Sequence, residues 1–111
     1  MDPDKFIATI KANFHGVDGH ASLFLAGSFG RGHEDRFSDI DFVAVAESKD
    51  HLKLTSNWQQ LISKQVEIVF WQQRQLHGLL VNIITENWLR IDLYVGKLLY
   101  RLHLLRKRGI R

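Results

Sequence analysis

The sequence contains no cysteine, so disulfides and thiolate metal sites are excluded. It has no apolar run near the roughly 18 residues that a membrane span requires. The opening Met1-Asp2-Pro3-Asp4 is acidic and lacks the basic and apolar regions of a secretory leader. Together these absences predict a cytoplasmic protein with no membrane partner. No repeat, low-complexity stretch or long linker divides the chain. Gly27, Gly30 and Gly32 lack the spacing of a dinucleotide fingerprint, and no Gly-Lys-Ser/Thr follows them as in a Walker-type phosphate loop. The six histidines show neither an i, i+4 pair nor zinc-like spacing and read as surface or loop residues.

What remains is an ordinary globular composition. The 111 residues are 45% hydrophobic and 24% charged, enough for one core and one domain. The net charge of +3 hides an asymmetry. Residues 97–111 carry Lys97, Arg101, Arg106, Lys107, Arg108 and Arg111 with no acid, whereas residues 1–96 hold nine basic against twelve acidic side chains. The basic character therefore belongs to the tail, and the body gives no electrostatic footprint for nucleic acid. In the tail, Leu98, Leu99, Leu102 and Leu105 lie among the basic residues. They predict a basic amphipathic helix that covers the sheet, or the first turns of a further helical domain.

Hydrophobic spacing predicts the remaining elements. Asp2 caps a helix that begins at Pro3, carries the stripe Phe6, Ile7, Ile10, Phe14 and ends at Gly16. Residues 21–26 read as a short buried strand and residues 39–45 as a second. Leu54, Trp58, Leu61 and Ile62 mark an amphipathic helix ending near Lys64, with Asp50 or Ser56 as its cap. Three strand-like runs follow: Val66 to Trp71, then Leu79 to Ile84 after a polar connection at 72–77, then Trp88 to Val95 after a turn at Thr85-Glu86-Asn87.

The chemistry concentrates in Ala26-Gly27-Ser28-Phe29-Gly30-Arg31-Gly32 and Ser38-Asp39-Ile40-Asp41-Phe42-Val43. A turn at Gly27-Ser28 offers backbone N–H groups to a phosphate, Ser28 adds a hydroxyl, and Arg31 is positioned to reach a phosphate or an acid. Side chains alternate along a strand, so Asp39 and Asp41 share one face while Ile40 and Phe42 face the core. Two carboxylates held together repel unless a cation lies between them, and a hard cation such as Mg²⁺ suits them. In the final strand, Asp92 interrupts Ile91-Asp92-Leu93 in the same way. It is the favoured third carboxylate, as metal ligand or proton acceptor, with Glu67 the competitor; the structural alternative for Asp92 is an ion pair with Arg90 or Arg36.

Gly27-Ser28, ten further residues, Asp39-Ile40-Asp41-Phe42 and a later hydrophobic–Asp–hydrophobic strand resemble the signature of the DNA polymerase beta-like nucleotidyltransferase superfamily. The local sequence is similar to small-substrate and antibiotic (lincosamide- or aminoglycoside-type) members, and the similarity covers about residues 5 to 95. The resemblance implies an α/β (α+β) nucleotidyltransferase fold, a mixed β-sheet flanked by helices, with residues 1–96 as the catalytic domain and 97–111 as the helical extension. It implies Mg²⁺ held by Asp39, Asp41 and Asp92, a nucleoside triphosphate, most often ATP, on Gly27, Ser28 and Arg31, and catalysis by the three aspartates. A nucleoside monophosphate, AMP in the first instance, would pass to a hydroxyl of a small molecule or protein with release of pyrophosphate. A catalytic core this short implies a fragment, a site completed across a homodimer, or a protein as acceptor. The alternative is a non-catalytic, antitoxin-like module that binds a partner protein.

Overall fold

The computed structural model describes residues 3–14, 21–26, 39–75 and 78–96. The elements are α1 (Pro3–Asn13), β1 (Ser22–Ala26), β2 (Ile40–Val45), a single 3-10 turn (Ser48–Asp50), α2 (His51–Gln65), β3 (Ile68–Gln75), β4 (Leu79–Thr85) and β5 (Arg90–Gly96). The strands form one mixed sheet in the order β1-β2-β5-β4-β3. Only the β2–β5 pairing is parallel; β1–β2, β4–β5 and β3–β4 are antiparallel. This is the mixed, helix-flanked architecture expected from the sequence. Among the described residues no helix is long and apolar enough to cross a membrane.

One face of the sheet carries the core. Leu25, Ile40, Phe42, Ala44, Val81, Ile83, Ile91, Leu93 and Val95 project from it and pack with Phe6, Ile7 and Ile10 of α1 and Leu54, Trp58 and Ile62 of α2. Both helices thus sit on the same side, as their period-3.6 apolar stripes require. Trp58 lies edge-on to Phe42 at 5.0 Å and to Phe14 at 6.3 Å between ring centroids. Such aromatic pairs add to area burial and fix α2 over the middle of the sheet. Among the described residues, the Trp58 indole Nε1 is the buried polar side-chain atom without a hydrogen-bond partner.

Several boundaries differ from the sequence expectation, each for a local reason. Helix α1 stops at Asn13, short of Gly16, and the Asn13 side-chain amide folds back to donate to the Thr9 carbonyl at 2.8 Å. Asp50 does precede α2, but its side chain makes no capping bond; the 3-10 turn Ser48–Asp50 leads into the helix instead. His51 is buried, contrary to the surface reading, and its Nε2 donates to the Ala46 carbonyl at 2.9 Å, tying the exit of β2 to the start of α2. The carbonyl can only accept, so Nε2 bears the proton. Histidines 15, 20, 33, 77 and 103 lie outside the described residues.

Strand β3 starts two residues later than expected and extends through Gln72–Gln75, which pair with Asn82–Leu79. The polar run there is the exposed edge of a sheet, where backbone pairing supplies the order and polar side chains discourage further pairing. Trp88 does not begin β5. It adopts a left-handed conformation with φ of 63°, is 82% exposed, and donates its N–H to the Thr85 carbonyl at 2.9 Å. The buried Thr85 hydroxyl accepts from the Leu89 N–H at 3.2 Å, and the Thr85 N–H donates to the Leu89 carbonyl at 3.0 Å, closing the β4–β5 turn.

Two stability predictions follow from these contacts. Trp58→Ala should cost about 3–5 kcal/mol by removing the largest core side chain, whereas Trp58→Phe should cost much less because the lost ring volume is partly offset by removing a partnerless N–H. Urea unfolding of the two variants distinguishes them, and equal losses would contradict the packing described. Trp88→Gly should leave stability unchanged or raise it by up to about 1 kcal/mol, since a bulky residue in the left-handed region is replaced by one that adopts it freely. Thermal melting measures this directly.

Candidate active site

The second face of the sheet carries the acids. Strand register places Ala26 beside Asp41, Asp41 beside Asp92, Asp92 beside Asn82 and Asn82 beside Gln72. These residues form one row across all five strands, because register partners share a face. Further along the same face, Phe24, Ala26, Val43 and Tyr94 form a small apolar cluster, with Ala26 and Val43 fully buried. Acidic positions therefore lie toward the start of the parallel pair β2 and β5, and an apolar floor lies toward its end.

Asp39 stands immediately before β2 and Asp41 within it, two residues apart, as the alternation predicted. Asp92 reaches the same row from β5, more than fifty residues later in the chain, and is buried. Glu67 does not join them. It is exposed and precedes edge strand β3, and it lines a groove of about 740 Å³ between the end of α2 and β3 that contains none of Asp39, Asp41 or Asp92. The fold thus brings Asp39, Asp41 and Asp92 to one region and leaves Glu67 at the opposite edge. Gly27, Ser28 and Arg31 lie outside the described residues, as do residues 97–111 and Arg36; β1 ends at Ala26, in register with Asp41.

Three polar partners organise the acids. Asn82 Nδ2 donates to Asp92 Oδ1 at 2.7 Å, and Arg74 Nη2 donates to Asn82 Oδ1 at 3.4 Å. Arg90 Nε donates to the same Asp92 Oδ1 at 3.4 Å and lies 3.6 Å from Asp39 Oδ2. Asp92 foremost raises the Arg90 guanidinium pKa above its ordinary value; burial is the next effect and opposes it, while Asp39 and then Asp41 add to the rise. The ion pair weighed as the structural role of Asp92 is therefore present, with Arg90. Among the described residues no three His, Cys, Asp or Glu side chains converge as a ready-made metal cage. Among the described residues, the cation paired with these acids is the Arg90 guanidinium.

Asn82 escaped the sequence reading although the signal was available. A lone amide in Leu79-Leu80-Val81-Asn82-Ile83-Ile84 interrupts an apolar strand as Asp92 interrupts its own. A buried polar side chain in such a run needs a partner, and that partner is Asp92. Chemically, the row presents hard carboxylate oxygens on a rigid sheet, fixed by an amide and a guanidinium. This arrangement suits a hard divalent cation and the phosphates such a cation would accompany.

Comparison with known proteins agrees with this geometry. The family described as Polymerase beta, Nucleotidyltransferase matches residues 9–92, a span that ends on Asp92. No curated protein sequence matches the chain significantly. Among solved structures, a cytoplasmic RNA terminal U-transferase superposes with a TM-score of 0.62 at 17% identity, covering 93% of this chain and 31% of that one. A CCA-adding enzyme in complex with CTP gives 0.56 at 15% identity, covering 94% of this chain and 23% of its own. Terminal uridylyl transferase 4 from Trypanosoma brucei with bound dUTP gives 0.53 at 14% identity over 84% of this chain and 34% of its own. The chain thus spans about a third or less of the length of these proteins, and at such identities they share its fold. The match is to the family as a whole and does not single out its antibiotic-modifying branch. With its sheet, its paired aspartates and a match over most of its length, the chain belongs to the polymerase beta-type nucleotidyltransferase domain family.

Proposed function

We propose that the chain is a catalytic nucleotidyltransferase domain that transfers a nucleoside monophosphate, AMP from ATP in the first instance, to an acceptor hydroxyl. The observation that supports this most is the register pairing of Asp41 with Asp92, which a scaffold would not need and which sets two carboxylates side by side at a repulsive cost. Asp39, Asp41 and Asp92 would hold Mg²⁺, whose charge, when bound, neutralises the triphosphate and polarises its α-phosphoryl group. The donor set fits that ion, since all three ligands are hard oxygens.

The remaining work falls to this chain's own groups. Gly27 and Ser28 follow directly on Ala26, the register partner of Asp41, and would hold the β- and γ-phosphates through backbone N–H groups and a hydroxyl, with Arg31 assisting. The acceptor oxygen attacks the α-phosphorus, a new P–O bond forms, the bond to the β-phosphate bridging oxygen breaks, and pyrophosphate leaves. Asp92, fixed in orientation by Asn82, would accept the proton released by the acceptor. Catalysis of this kind is chiefly positioning and charge stabilisation, and a rigid sheet suits it. The acidic excess of residues 1–96 favours a small-molecule or protein hydroxyl over a nucleic-acid end.

Asp39→Asn and Asp41→Asn should each lower transfer by about two to three orders of magnitude while leaving the circular dichroism spectrum unchanged. Radiolabelled ATP offered with small hydroxyl compounds, the protein itself and RNA 3′ ends measures the transfer and identifies the acceptor class. Full activity in both variants would contradict the assignment.

A further inference from the structure

Among the described residues, the cation nearest the carboxylates is Arg90. Arg90 Nε reaches both Asp39 and Asp92, and on Asp92 it uses Oδ1, the oxygen that also accepts from Asn82. Asp92 is nearly inaccessible, with 6% of its side chain exposed, whereas the Arg90 side chain is 54% exposed. The buried acid is fixed and the exposed guanidinium sits on a flexible stem. A buried carboxylate left without a compensating charge is costly, and a neighbouring acid in register adds to that cost. Arg90 offsets it from outside the core, where it can withdraw without disturbing packing.

We propose that Arg90 is the resident counter-ion of this carboxylate cluster and is exchanged for the divalent cation when metal and nucleotide bind. The inference rests on the metal-dependent nucleotidyltransferase reading and adds to it a gate on metal entry. Without nucleotide, a divalent ion must displace the guanidinium from Asp39 and Asp92 Oδ1, so free metal binds weakly. With nucleotide, the released guanidinium has phosphate oxygens to pair with, and its planar fork suits them. Metal and triphosphate therefore favour each other's binding. Asn82 keeps Asp92 oriented in both states, so the exchange costs the sheet no rearrangement.

The test is a titration of Mn²⁺ alone, followed by electron paramagnetic resonance of the free ion, on the wild-type protein, Arg90→Gln and Arg90→Lys. Thermal melting in chelator and in Mn²⁺ accompanies it. Arg90→Gln should bind Mn²⁺ about tenfold more tightly than wild type, as expected when a competing unit charge beside the ligands is removed. It should also melt lower in chelator and recover on adding Mn²⁺, whereas Arg90→Lys, which keeps the charge, should stay near wild type in both readings. Wild-type binding of Mn²⁺ with equal or weaker binding in a folded Arg90→Gln would overturn the exchange and leave the metal site standing. Absence of Mn²⁺ binding in all three proteins would overturn the metal site itself, and the exchange with it.

Discussion

The register of one parallel strand pair governs this structure. When β2 and β5 align so that Ile40 meets Ile91 and Phe42 meets Leu93, their core-facing sets coincide and the buried face closes under the two helices. The same register forces Asp41 against Asp92 on the opposite face. A slip by one residue would carry every apolar side chain of β5 to the wrong face. Core packing therefore fixes the acids together more firmly than any contact between the acids could. The electrostatic cost is met locally by Asn82 and Arg90.

Much of this was legible in the sequence, because it depends on periodicity. Alternation along 39–45 and 89–95 separated core positions from site positions, and the stripe of Leu54, Trp58 and Ile62 located the covering helix. The carboxylates Asp39, Asp41 and Asp92 were identifiable as polar residues in apolar strands. What was not legible depends on three-dimensional pairing. Nothing local to Glu67 reveals that its strand lies at the far edge, two places from β5, since strand order is set by the whole topology. The burial of His51 likewise comes from the tertiary contact with the Ala46 carbonyl, which no spacing rule contains. Gln72–Gln75 read as a connection because polar composition argues against a buried strand, but an edge strand needs only one neighbour.

Charge placement connects this fold to its proposed chemistry. The sheet carries the acids, Asn82 holds Asp92 in place, and the cationic partner is a half-exposed arginine two residues before Asp92 on the same strand. A buried acid beside a half-exposed base suits a reaction in which a polyanionic substrate must arrive, be neutralised and leave as pyrophosphate. The superposition with RNA terminal U-transferase and CCA-adding enzyme extends over most of this chain but under a third of theirs.

The central claim is that these three aspartates form a site for metal and nucleotide together. Calorimetric titration of ATP into the protein, with and without Mg²⁺ and then repeated on Asp41→Asn, tests it most directly. The account predicts binding that requires Mg²⁺ and is lost in the variant. Binding that is indifferent to Mg²⁺ and to the Asp41 carboxylate, or no binding to the wild-type protein, would contradict it.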